Sequence, residues 1–106
     1  MPNFTLKTKH VNSNRLLNEV TAFINAIIVD FNIIWNSDSQ RDAILEVLDE
    51  HMQDMAEENK IEQWDVVCDA RNNKQIDMRN KITHLDVKYR QRNCYNVTEL
   101  NYTIKE

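Results

Sequence analysis

The residues of this chain that could do chemistry are few, and their spacing does not bring them together. Cys68, Asp69, His84 and Cys94 carry metal-ligating atoms. Neither cysteine has a second at C-x-x-C distance, however, and the spacing fits no zinc pattern. His51 follows Asp49 and Glu50 but lacks the second histidine, one helical turn away, of a zinc-protease helix. It reads as one histidine on a solvated acidic helix. The adjacent carboxylates Asp49/Glu50 and Glu57/Glu58 belong to that helix's outer face, where nothing shifts a pKa as general acid–base work requires. Glycine is absent, which removes phosphate-cradling loops and the nucleophile elbow. The expectation is no catalytic site, no metal and no cofactor.

Lys88, Arg90 and Arg92, with Tyr89 and Tyr95 as stacking partners, raise a nucleic-acid reading. Asp86 and Glu99 flank that cluster, and the chain carries 13 Lys and Arg against 17 Asp and Glu, a net charge of −4. An acidic chain is poorly suited to phosphate binding. The better use of Arg90 and Arg92 is pairing with Asp49, Glu50 and Asp54 on a neighbouring copy. Such a head-to-tail contact propagates into rings or helices.

At 106 residues the chain is one domain: residues 1–10 form a strand or arm, and 11–106 a single α+β unit. No secretory leader precedes the domain, so both cysteines are expected as free thiols and the two Asn-x-Thr triplets as chance matches. No apolar stretch is long enough to span a bilayer. With no glycine, positive-φ positions fall to Asn and other residues at some cost, and asparagine clusters at 12/14, 36, 72/73 and 93/96 mark the turns.

Phe4–Lys9 alternates as a half-exposed strand with lysines on one face, the pattern of an edge strand or an arm. Asn12, Ser13 or Asn14 can cap a helix whose Leu16, Leu17, Val20, Phe23, Ile24, Ile27, Ile28 and Phe31 make an apolar stripe. Ile33, Ile34 and Trp35 extend that character into the following loop. A second helix starts at Ser37, with Gln40 completing a capping box, and turns Ala43, Ile44, Val47, Leu48, Met52 and Met55 inward. It ends near Glu58, with Asn59 as a left-handed cap. Strands follow at Ile61–Asp69, Ile82–Gln91 and Val97–Ile104. The sum is two helices on one face of a small, mostly antiparallel sheet of about four strands.

Between the second and third strands lies Trp64-Asp65-Val66-Val67-Cys68-Asp69-Ala70-Arg71-Asn72-Asn73, followed by Ile76-Asp77-Met78-Arg79-Asn80. A strand running through Val-Val-Cys-Asp into an Asn-Asn turn resembles the C-terminal domain of contractile phage tail sheath proteins. Asn14-Arg15-Leu16-Leu17, the positions of Phe31, Asn36 and Arg41, and the Leu100-Asn101-Tyr102 ending extend the likeness over roughly residues 11–104. The family's usual Thr-Pro after Asn-Asn is Lys74-Gln75 here, and the N-terminal bulk of full sheath proteins is missing.

The resemblance implies an assembly protein of a phage tail or neck. It would work in the virion, and in the host cytoplasm during assembly, as a ring or helix of copies around the tail tube or connector. Its partners would be copies of itself and other tail, neck or baseplate proteins. In that family neighbours are joined by strands exchanged between sheets, a form of β-augmentation. The implied C-terminal residues are Thr98, Leu100, Tyr102 and Ile104. Phe4 and Leu6 are the N-terminal candidates by composition and position, with pairing inside their own chain equally open. The alternative reading is a small acidic phage regulator that binds a host protein through its acidic helix.

Overall fold

The computed structural model describes residues 3–30 and 38–105. The expectations for Phe31, Ile33, Ile34, Trp35, Asn36 and the Ser37 capping box lie outside the described residues. In chain order the elements are β1 (Asn3–Lys9), α1 (Asn14–Asp30), α2 (Asp38–Glu57), β2 (Ile61–Val67), α3 (Gln75–Arg79), β3 (Ile82–Gln91) and β4 (Val97–Lys105). The strands form one antiparallel sheet in the order β1-β4-β3-β2. The α+β architecture expected from the sequence is therefore the observed one, with α3 as an unforeseen third helix.

Ser13 caps α1: its Oγ accepts the Leu16 N–H at 3.3 Å. Leu16, Val20, Ile24, Ile27 and Ile28 of α1 meet Ile44, Leu48, Met52 and Met55 of α2 in one core. The sheet contributes Ile61, Leu85, Val87, Tyr89, Leu100, Tyr102 and Ile104 to it, and Cys68 joins from just beyond β2. Each such large side chain gains roughly 1.5–3 kcal/mol on leaving water. Arg41, on the inward side of α2, is buried and pairs with Asp38.

α2 ends as its sequence suggests. Asn59 takes a φ of 62°, and the Asn59 and Lys60 N–H groups donate to Ala56 and Met55 carbonyls at 3.0 Å. That pair of bonds is a Schellman motif. Lys60 then ties the helices together by bonding to both Glu19 and Glu58. Asn93 also adopts positive φ, but so do His10 and Lys81, whereas Asn72 and Asn73 do not.

His51 departs from expectation. Its ring stacks on Phe23 with centroids 3.7 Å apart and planes within 6°, a contact between α2 and α1. Its Nε2 is buried with no hydrogen-bond partner among the described residues. Burial lowers the His51 pKa below 6.5, against the pull of Glu19, Asp54 and Glu58. The imidazole acts as an aromatic spacer because the helices close over it.

A lowered folded-state pKa means stability that is present above pH 6.5 and lost as pH falls through the folded value, since only the unfolded chain takes up the proton. Melting temperature should therefore drop between pH 7 and pH 5. His51→Phe, which keeps the stack and removes the titration, should flatten that drop. An unchanged slope in the variant would contradict the assignment.

Candidate assembly interface

The Asn-Asn turn does its work through side chains. The Asn73 Oδ1 accepts the His84 N–H at 2.8 Å, and its Nδ2 donates to the His84 carbonyl at 3.0 Å. The carboxamide thereby imitates a strand residue and continues the ladder beside β3 after β2 has ended. Asn72 Oδ1 accepts the Asp69 N–H at 3.0 Å, while its Nδ2 reaches the Val67 carbonyl at 2.8 Å and the Asp86 carboxylate at 2.9 Å. Asp86 also accepts from Asn101 Nδ2 at 2.7 Å. The Arg71 guanidinium bonded to Asp69 holds that carboxyl below its ordinary pKa. Asp77 is held low by the Lys74 N–H at its carboxylate, and it also bonds His84 Nε2 at 3.3 Å. That Lys74–Asp77 bond opens α3, and the three-residue spacing was its only signal in the sequence.

α1 and α2 lie on one face of the sheet, and the other face is open and polar. Across it Lys9, Glu99, Lys88 and Asp65 stand in one row, contributed by β1, β4, β3 and β2 in spatial order. Lys9 and Lys88 lie 3.9 and 3.1 Å from the Glu99 carboxylate. Charge alternates across all four strands, which favours each neighbouring pair. No single segment of sequence contains this row; it exists only once the register is set.

The segments expected at a strand exchange meet one another. Phe4 faces Ile104 and Leu6 faces Tyr102 in the β1–β4 ladder, and the Phe4 and Tyr102 rings lie 5.7 Å apart. β4 is an interior strand flanked on both sides, and Thr98, Leu100, Tyr102 and Ile104 are all buried. Within the chain these four residues build the core and receive β1 along one side of their strand. Thr98 has a further task, donating from Oγ1 to the His10 carbonyl at 2.9 Å, while Asn12 bonds the Asn96 carbonyl at 3.1 Å. The open edges belong instead to β1 and β2.

The charged residues expected at an interface differ in their surroundings. Arg90 is engaged within its own chain, 2.8 Å from Glu62 and 3.4 Å from the Cys94 carbonyl. Arg92 is exposed. Asp49 accepts the Trp64 indole N–H at 2.8 Å, whereas Glu50 and Asp54 stand in solvent with Asp42, Glu46 and Glu57. A groove of about 470 Å³ beside the β2 edge is lined by Trp64, Asp65, Lys88, Arg90 and Val97 among others.

The chemistry-bearing residues stay apart. Cys68 is packed in the core, His84 sits on the open face between Asp77 and Thr103, and Cys94 lies in the β3–β4 turn. Among the described residues no group of three potential ligands could hold a metal ion, and no helix is long and apolar enough to cross a membrane. Both cysteines are free, and burial pushes the Cys68 thiol up to about 12. No family model, curated protein or solved structure matches the chain.

Two measurements check this geometry. Iodoacetamide should alkylate Cys94 in the native protein and reach Cys68 only on unfolding; equal rates would contradict the packing of Cys68. Asn73→Ala strands the His84 N–H, while the His84 carbonyl keeps Asn72 Nδ2 at 3.2 Å, and should cost about 2 kcal/mol in denaturant titration. A loss near zero would mean that the carboxamide ladder contributes nothing.

Proposed function

We propose that this chain is a non-enzymatic structural protein of a phage tail or neck, a free-standing relative of the sheath C-terminal domain. It assembles around the tail tube or connector by lending its β1 strand to an adjoining copy. The Val-Val-Cys-Asp…Asn-Asn resemblance supports the family, and the α+β layering agrees with it.

The observation that carries the reading is the β1–β4 ladder. It joins the N-terminal and C-terminal segments of the chain through seven facing pairs, Asn3 with Lys105 through to Lys9 with Glu99. Nothing in that register requires both strands to come from one molecule. β1 is attached only through residues 10–13, where His10 holds a φ of 55°. For a β-carbon-bearing residue that geometry costs about 1 kcal/mol, which extending the hinge would release. The same ladder formed between copies preserves every contact and adds connectivity, the logic of strand exchange. The acidic face of α2 and the exposed Arg92 supply secondary, salt-sensitive contacts between copies.

Thr5 and Thr103 face each other in the ladder, so cysteines there report which chain supplies β1. In a Cys94→Ser background, Thr5→Cys with Thr103→Cys should give disulfide-linked oligomers on oxidation of the assembled protein. Exclusively intrachain disulfides in a particle-bound sample would overturn strand exchange. A monomer that links only to itself and captures a single host protein would favour the acidic-regulator reading instead.

A further inference from the structure

The two open edges are complementary in direction and in charge. β1 runs antiparallel to β4, β4 to β3 and β3 to β2, so β1 and β2 are antiparallel to each other. A second copy in the same orientation therefore brings its β1 alongside β2 as an antiparallel neighbour, with its helices on the same face. On the open face β1 presents Lys7 and Lys9, and β2 presents Asp65; Glu62, at the register shift, is paired with Arg90. Asp65 is exposed, and its field reaches Arg71. The register shift between Ile61 and Gln63 interrupts the start of β2 and leaves Gln63–Val67 regular.

We propose that the β2 edge of one copy pairs head to tail with the β1 edge of the next, with the incoming Lys9 opposite Asp65. This rests on the reading of the chain as a self-assembling structural protein and names the surface through which sheets join. The row Lys9–Glu99–Lys88–Asp65 then continues into the next copy as another Lys–Glu–Lys–Asp with no like charges adjacent. Val67 falls opposite Lys7, and Val66 opposite Thr8 on the helix side. The two-fold alternatives are disfavoured, because β1 against β1 crowds lysines and β2 against β2 crowds carboxylates. Lysines on an edge strand deter indiscriminate strand addition; here they also select an acidic edge. Since neighbouring strands rotate by about 20–25°, four strands turn each copy by roughly 90°, and the contact builds a helical array rather than a flat sheet.

The test uses the full chain with Asp65→Lys and Lys9→Asp, read by sedimentation velocity over a wide concentration range, with circular dichroism confirming the fold. Each reversal alone should weaken self-association about tenfold, equivalent to ~1.4 kcal/mol. Mixing the two variants should restore it, because each variant's edge then meets an opposite charge on the other. Asp65→Asn and Lys9→Gln, which add no like charge, should weaken association less and serve if a reversal disturbs folding. Wild type that stays monomeric at every concentration overturns the proposal, as does either reversal associating like wild type or a mixture that fails to recover. Interchain disulfides in the Thr5→Cys, Thr103→Cys variant persisting while the reversals have no effect would overturn this edge contact alone and leave strand exchange standing.

Discussion

The ladder between β1 and β4 is the constraint on which the rest of the molecule depends. It draws the C-terminal strand into the interior of the sheet and lets Leu100, Tyr102 and Ile104 become core. It also places Phe4 against Tyr102, whose hydroxyl donates to Asn25 of α1 at 3.3 Å. Without β1, β4 would be an edge strand with an uncovered row of backbone donors and acceptors. The ladder has to be made for β4 to be covered on both sides.

The sheet's two faces follow different physics. The helix side is a packed apolar layer in which Arg41 and His51 are tolerated through a carboxylate pair and an aromatic stack respectively. The open side holds itself together with carboxamides and charges: Asn72 and Asn73 on the strand backbones, Asp86 between Asn72 and Asn101, and the Lys–Glu–Lys–Asp row. The exposed charge pairs of the row are hydrated, so each adds little to stability.

Much of the fold was legible in the residues. The 3.6-residue stripes of Leu16–Ile28 and Ile44–Met55 and the alternation of Leu85-Val87-Tyr89 and Leu100-Tyr102-Ile104 follow from burial on one face, which periodicity reports directly. Asn59 ends its helix as its type suggests. The Asn72-Asn73 turn was visible, but its mechanism was not, because a carboxamide bonding the His84 backbone depends on a partner eleven residues away. His51 was misread because sequence shows its acidic neighbours and hides the Phe23 ring above it. The Arg90–Glu62 pair was hidden for the same reason: Glu62 comes close only through strand pairing. The candidate interface was the least legible part, since an open edge is a property of strand order, and strand order is set by the whole sheet.

Single-particle electron microscopy of the proposed assembly, traced at side-chain resolution through residues 10–13, tests the central claim most directly. The account predicts that the chain leaves one sheet at Ser13 and enters a neighbour's as β1, with Phe4 against that neighbour's Tyr102. Copies that each keep β1 in their own sheet and touch through neither β1 nor β2 would contradict it.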